Sequence, residues 1–239
     1  MKLIGLIGGM SWESTALYYR IINQQVKQQL GGLHSARCII YSVDFHDIEA
    51  LQSAGEWEKA GEILADAAMR LERAGADFIV LCTNTMHKVA HAITDAVSLP
   101  FLHIADATAA HISKVKCKRV GLLATAFTME QSFYIERFAQ SGIEIIVPDE
   151  ADRQAVHDII YQELCLGVIR DASRQRYREV MAALVAQGAE GIILGCTEIT
   201  LLVDAQDACV PLFDTTQLHA EEAVRFALSV NPDKLKIKS

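Results

Sequence analysis

No stretch of the 239 residues offers the roughly 18 to 20 consecutive apolar residues that would span a bilayer. The first residues also lack the charged-then-apolar pattern of a secretory leader. The expectation is a cytoplasmic protein without a membrane partner. Closely spaced cysteine pairs are missing as well. Cys38, Cys82, Cys117, Cys165, Cys196 and Cys209 stand far apart, which excludes a zinc ribbon or a disulfide framework and leaves thiols in a reducing compartment. Basic charge is scarce: 22 Lys and Arg face 30 Asp and Glu, for a net charge of −8. Basic residues cluster only at Lys114, Lys116, Lys118 and Arg119, read as a solvated hairpin or linker, so no nucleic-acid partner is expected. A nucleotide loop is not indicated either, because Gly8-Gly9 fits neither the dinucleotide fingerprint nor the Walker spacing.

A hydrophobic content of 51% is ample for a packed core, in one large domain or two lobes. Short apolar runs alternate with longer helical patterns, which points to α/β architecture with parallel strands. Residues 2–7 read as a strand running into Gly8-Gly9-Met10. The helix that follows has Ser11, Glu13 and Ser14 at its start and Leu17, Ile21, Ile22, Val26 and Leu30 on its buried face. The glycine pair suits a tight turn where backbone approaches a small anion. Residues 38–43 form a second strand, 44–52 a polar loop, and 56–74 a helix with Ile63, Ala67 and Leu71 in register. Residues 78–81 are a strand, a helix follows to about residue 96, and 99–104 form a further short strand. The second half starts afresh with a strand at 119–125, a helix carrying Tyr134 and Phe138, and a strand at 142–148. Helices near 153–166 and 173–187, a strand ending at Leu194 and a last helix near 219–228 complete it, before Asn231-Pro232. The tail with Lys234, Lys236 and Lys238 is expected to fray.

The halves repeat. Placing Gly75 on Gly188, a shift of 113 residues, aligns Ala76-Asp77-Phe78-Ile79-Val80-Leu81 with Ala189-Glu190-Gly191-Ile192-Ile193-Leu194. Gly5 and Tyr18 fall on Gly121 and Tyr134 under a shift of 116, and Leu99-Pro100-Phe101 corresponds to Val210-Pro211-Leu212. The fold class follows as α/β with two similar lobes, each a parallel sheet flanked by helices, pseudo-twofold related and sharing a ligand cleft. The first lobe is set at residues 1–103, with the C-terminal segment 213–239 packing on it, and the second at 104–212.

Each lobe ends a strand in reactive polar residues, Leu81-Cys82-Thr83-Asn84-Thr85-Met86-His87 and Leu194-Gly195-Cys196-Thr197-Glu198. Ligands of open α/β sheets bind at that edge. The 113 shift puts Cys196 on Thr83 and Gly195 on Cys82. Successive strand residues point to opposite faces, so if Cys196 faces a ligand then Thr83 does too, and Cys82 packs inward. His87 and His91 are four apart and would share a helix face at zinc-ligand spacing, but Lys88 stands where a metalloprotease needs Glu. No metal is assigned; the alternative is histidines on a helix surface or supporting the site.

Three of these segments, Gly8-Gly9-Met10, Thr83-Asn84-Thr85-Met86-His87 and Gly195-Cys196-Thr197-Glu198, resemble the hallmarks of the cofactor-independent aspartate/glutamate racemases. Those are Gly-Gly-Met after the first strand, Cys-Asn-Thr-x-His in the first lobe and Gly-Cys-Thr-Glu in the second. The resemblance runs over nearly all of the chain, with the family's first reactive cysteine replaced by Thr83. The run Gly9-Met10-Ser11-Trp12-Glu13-Ser14, with Cys82 directly before Thr83, is similar to the L-aspartate/glutamate-specific branch.

The resemblance implies an isomerase that racemises L-aspartate or L-glutamate by two-sided proton transfer at the α-carbon. A small amino acid is the expected partner, no cofactor is needed, and a homodimer is the usual assembly. A thiol suits both proton roles, because its free pKa of about 8.5 lies near operating pH and falls further at a helix N-terminus. A threonine hydroxyl is no base near neutrality, although it can pass on a proton through water or a neighbour. By resemblance Cys196 accepts the proton and the Thr83 side returns one, which favours L-substrate input. Backbone N–H groups and hydroxyls at Asn84, Thr85 and Thr197 are expected to hold the carboxylates, with Met10 and Gln52 beside the substrate. Glu198 either orients the ammonium or supports the site from behind; Thr125 is a further candidate. His219 either polarises Cys196 or is a core histidine. Some members hold the distal carboxylate with an Arg after the second strand and a Lys in the second lobe. Residues 44–49 and 161–167 contain neither, which leaves a broad-specificity amino-acid racemase as an alternative. A cysteine-dependent isomerase or decarboxylase of the same fold, of the maleate isomerase or arylmalonate decarboxylase type, is another. No lysine occupies either reactive strand end, Lys88 being the nearest, so pyridoxal phosphate is not expected.

Overall fold

The computed structural model describes residues 1–229; Asn231-Pro232, Lys234, Lys236 and Lys238 lie outside the described residues. The chain folds as two compact α/β units. One comprises residues 1–82, 89–102 and 220–229, and the other residues 83–88 and 103–219. Among the described residues, no helix is long and apolar enough to cross a membrane.

The first unit contains β1 (Ile4–Gly8), α1 (Trp12–Leu30), β2 (Cys38–Ser42), α2 (Phe45–Ser53), α3 (Trp57–Arg73), β3 (Phe78–Leu81), α4 (Ala90–Ala96) and β4 (Phe101–Leu102). Its strands are all parallel, in the order β2-β1-β3-β4. The central strands β1 and β3 are buried along their whole length, as strands covered by helices on both faces must be. Ser11 caps α1 by accepting the Ser14 N–H, and Tyr18, Ile21, Ile22 and Val26 bury one face. Between β1 and α1, Gly9 has a φ of +95°, and a Cβ there would lie 2.1 Å from the Val43 carbonyl oxygen. That turn therefore needs glycine to close against the exit of β2.

The second unit contains α5 (Ile104–Lys114), β5 (Arg119–Leu123), α6 (Ala126–Glu130), α7 (Ser132–Ala139), β6 (Glu144–Ile146), α8 (Glu150–Gln162), α9 (Asp171–Ala186), β7 (Ile192–Leu194), β8 (Leu212–Asp214) and the start of α10 (Thr215–Leu228). Its parallel sheet runs β6-β5-β7-β8, the order of the first. Its core joins Val120, Leu122, Tyr134, Phe138, Tyr177, Leu184 and Ile193. The later part of α10 contributes Ala220, Ala223, Val224 and Ala227 to the first unit's core, beside Ile4, Leu6, Phe78, Val80 and Cys82.

Hydrogen bonds carry the repeat as well as the topology. Asp77 N–H bonds to Leu3 O at 2.8 Å as Glu190 N–H does to Arg119 O. Ile79 N–H bonds to Pro100 O at 2.9 Å as Ile192 N–H does to Pro211 O. Cys82 N–H reaches Ile7 O at 2.9 Å, and Gly195 N–H reaches Leu123 O at 2.7 Å. The last pair makes Cys82 and Gly195 equivalent in the backbone, and so also Thr83 and Cys196.

Several elements differ from the sequence reading. The polar stretch 44–52 is not a loop but helix α2: Asp44 accepts the His46 N–H as its cap, and Ile48 and Gln52, four apart, share its buried face. The strand expected at 99–104 shrinks to two residues, because His103 caps α5 by accepting the Ala105 N–H on Nδ1. One helix expected after β5 is two, broken at Gln131 in extended conformation. Helix α8 stops at Gln162, and a separate 3-10 turn, Leu164–Leu166, ends on left-handed Gly167. Leu64, rather than the half-buried Ile63, centres the apolar stripe of α3. The basic cluster at 114–119 is neither hairpin nor linker but the turn from α5 into β5, with Lys116 at a φ of 62°.

Candidate active site

Beyond β3 the chain continues through buried Cys82 to half-buried Thr83. Cys82 belongs to the first unit's core, and burial above all, then the neighbouring Cys38, pushes its thiol far above the ordinary range. It is a packing residue whose proton stays on sulfur. The equivalent exit from β7 passes through Gly195, where a Cβ would come within 2.9 Å of the Ala124 Cβ. This close approach to the end of β5 seats the half-buried Cys196 that follows.

Cys196 stands just before a 3-10 turn, Thr197–Leu201, and its thiol donates to Glu198 Oε2 at 2.9 Å. The Thr197 hydroxyl donates to the same oxygen, also at 2.9 Å. Burial first, then the charge and hydrogen bond of the Glu198 carboxylate, raises the thiol well above its ordinary pKa, against the opposing pull of the Glu198 backbone N–H. The helix-terminus effect anticipated from sequence is therefore outweighed, and without substrate the site holds a protonated thiol aimed at a carboxylate.

A second polar group surrounds the Thr83 segment. Thr85, Thr125 and Thr128 bring three hydroxyls together, with Thr85 Oγ1 3.3 Å from each of the other two and 3.4 Å between Thr125 and Thr128. Thr125 and Thr128 are buried. Hydroxyls of this kind can rotate to donate toward an anion. Thr128 escaped the sequence reading; its spacing of three from Thr125 across the start of α6 is the signal that could have found it. Asn84 is buried and occupied at both ends: its Oδ1 accepts from Tyr134 OH at 2.9 Å, and its Nδ2 donates to Thr215 Oγ1 at 3.0 Å.

His87 and His219 are buried. His87 lies in a 3-10 turn, Thr85–Val89, not in one helix with the exposed His91 of α4. Its Nε2 receives the Ile104 N–H at 3.2 Å, so the ring proton sits on Nδ1, which donates to the Thr83 carbonyl at 2.7 Å. Burial, then His103 and His219, keep it neutral by lowering its pKa well below the usual value. His219, fully buried, stands edge-on to His87 with ring centroids 5.9 Å apart. Among the described residues, no group of His, Cys, Asp and Glu side chains could hold a metal ion.

Of the sequence-derived candidates, Thr83, Asn84, Thr85, Thr125, Cys196, Thr197, Glu198 and His219 belong to the second unit, and the buried Met10 and Gln52 to the first.

The chain is similar to several known proteins over most of its length. A crystal structure from Yersinia pestis, provisionally named an Asp/Glu racemase, is 61% identical over 96% of this chain and 100% of its own, with a TM-score of 0.92. An aspartate racemase homologue from Pyrococcus horikoshii is 34% identical over 96% of this chain and 100% of its own, with a TM-score of 0.84. The broad specificity amino-acid racemase of Bacillus subtilis is 26% identical over 93% of this chain and 96% of its own length. The sequence profile of the Asp/Glu/hydantoin racemases matches residues 7–223. With two parallel four-stranded sheets of one topology and a match over nearly the whole chain, the protein belongs to the Asp/Glu/hydantoin racemase family and is an isomerase of the racemase class.

Proposed function

We propose that the chain racemises L-aspartate or L-glutamate without a cofactor, Cys196 taking the α-proton and the Thr83 side returning one to the opposite face. The observation that carries this reading is the thiol of Cys196 hydrogen-bonded at 2.9 Å to the Glu198 carboxylate. The carboxylate keeps the thiol protonated while the site is empty, and it is also the acceptor that can take that proton. Substrate ammonium close to sulfur stabilises the thiolate. The thiol proton then moves to Glu198, the thiolate removes the α-proton, and the resulting enolate-like charge spreads into the substrate carboxylate. The hydroxyls of Thr85, Thr125 and Thr128 are the donors for that carboxylate. Thr83 returns a proton relayed from water, because its own alkoxide is too basic to form.

The two enantiomers of an amino acid are isoenergetic in water, so kcat/KM is equal in the two directions. The unequal pair of acid and base therefore shows in kcat and KM separately. The absence of Arg and Lys from residues 44–49 and 161–167 favours a second reading, a broader side-chain range, and the Bacillus subtilis relative is named for such a range. Incubating the protein in D₂O with a panel of L- and D-amino acids tests both. Deuterium must enter the α-position of the inverted product; isomerase or decarboxylase chemistry at Cys196 leaves the α-hydrogen in place, and that result would sink the proposal.

A further inference from the structure

Asn84 is held in a buried chain of hydrogen bonds whose direction is fixed at every link. The Thr215 hydroxyl has a single proton and donates it to Leu194 O at 3.0 Å. It must therefore accept from Asn84, whose amide nitrogen lies 3.0 Å away. The Asn84 carbonyl oxygen is thereby turned to Tyr134, which donates to it at 2.9 Å. Burial raises the Tyr134 pKa, so its hydroxyl remains a donor at any working pH. Tyr134 and Thr215 are fully buried, and Asn84 is 7% exposed.

The two ends of this chain have a specific address. Asn84 is the residue after Thr83, and Leu194 is the last residue of β7, two before Cys196. Thr215 opens α10 directly after β8, whose Asp214 pairs with Leu194. We infer that Tyr134, Asn84 and Thr215 form a strut that fixes the separation of Thr83 from Cys196, making Tyr134 and Thr215 positioning residues for proton transfer at the α-carbon. The inference rests on the racemase reading. Two proton-transfer groups working on opposite faces of one carbon need a spacing held to a fraction of an ångström, and a loss of about 1 Å in such alignment costs roughly 100-fold in rate. A strut outside the carboxylate-binding hydroxyls acts on that alignment and leaves ground-state binding in place.

The test compares the native chain with Thr215→Val, Thr215→Ser and Tyr134→Phe. Polarimetric racemisation of L-aspartate and L-glutamate gives kcat and KM, and far-ultraviolet circular dichroism establishes the fold. Thr215→Val keeps shape but removes both links of the hydroxyl, so kcat should fall about 10- to 100-fold with KM within about threefold. Tyr134→Phe removes one end link, and kcat should fall by about 3- to 10-fold. Thr215→Ser restores the hydroxyl and should recover native kcat within about threefold. A merely structural role would predict a loss of folded protein or a rise in KM instead. A folded Thr215→Val with native kcat, or a loss carried by KM, overturns the strut. Should Thr215→Val fail to fold, Tyr134→Phe decides by the same criteria. If the native chain shows no α-exchange with any amino acid in D₂O, the racemase reading has failed, an outcome distinct from a native racemase whose variants keep full kcat.

Discussion

Replacing Glu198 by Gln probes the reading of Cys196 most directly. The amide keeps the shape and an oxygen that can accept from the thiol, but removes the negative charge 2.9 Å from Sγ. A hydrogen bond to a charged acceptor is worth about 1.5–3 kcal/mol, and one pKa unit is about 1.36 kcal/mol. Losing the charge should therefore lower the thiol pKa. Burial, the largest cause of the raised value, remains, so the variant thiol is not expected to become unusually acidic. The assay is the pH dependence of iodoacetamide alkylation at the Cys196 peptide, read by mass spectrometry because the exposed Cys165 and Cys209 also react. In the native protein the thiolate limb should lie at high pH. In Glu198→Gln the limb should move to lower pH while kcat at neutral pH falls, since no carboxylate takes the thiol proton. Coincident titrations, or a limb displaced upward, would refute a Cys196 thiol whose proton is held, and then accepted, by Glu198.

Removing the sulfur of Cys82, which is fully buried in the first unit's core, should cost stability by about 1 kcal/mol. Cys82→Ala should leave kcat unchanged within about twofold, whereas Cys196→Ser should lose at least about 1,000-fold; equal losses from the two would reverse their assignment. Thr128→Val removes one hydroxyl of the buried trio and should lower kcat/KM by about tenfold, through a lower kcat as well as a higher KM. Calorimetric binding of a non-reacting dicarboxylate should weaken in parallel. Burial first, then Arg137, depresses the His103 pKa to about 4 from 6.5, and His87 is lowered in the same sense. Unfolding lets these rings take up protons between those values, so stability should fall as pH drops from about 6.5 toward 4. His103→Asn keeps an N-cap for α5 without a titrating ring, and its melting temperature should fall less between pH 7 and pH 5; an equal fall would exclude His103 as a source.

The repeat was the most legible part of the fold, because it rests on backbone positions that tolerate little change. A Cβ at Gly5 would lie 3.0 Å from the Ala76 Cβ, and one at Gly121 would lie 2.7 Å from the Ile192 Cδ1, and the paired apolar runs become the buried strands β1, β3, β5 and β7. Helix α2 was not legible, since only Ile48 and Gln52 are buried in it and one of the two is polar. The family motif located Thr83, Cys196 and Glu198, but it could not give the state of the thiol. That state depends on a side-chain rotamer bringing Glu198 to sulfur and on burial, neither of which a motif contains. Tyr134 was visible only as the repeat partner of Tyr18, and Thr215 carried no signal, because the partners of a buried hydroxyl are set by tertiary packing.

The repeat also explains why one fold can carry two unlike groups on its two strand ends. Under the 113-residue shift Thr83, Asn84 and Thr85 correspond to Cys196, Thr197 and Glu198, and the hydrogen bonds before them are the same. Their side-chain partners are not. At the Cys196 end the third residue is a carboxylate bonded to the thiol, which in the proposed reaction accepts and returns the thiol proton. At the Thr83 end the third residue, Thr85, joins two further hydroxyls, and the second, Asn84, is locked by Tyr134 and Thr215. A thiol at position 83 would find no equivalent carboxylate in its own motif. Thr83→Cys should therefore gain in kcat from the D-enantiomer only as far as its own thiolate forms, with a stronger pH dependence than the native enzyme. Adding Thr85→Glu would supply the acceptor but remove a hydroxyl proposed to bind the substrate carboxylate, so the double variant should show a pH profile shifted like that of the Cys196 end and a raised KM. A double variant with unchanged KM would show that the hydroxyl trio does not bind substrate.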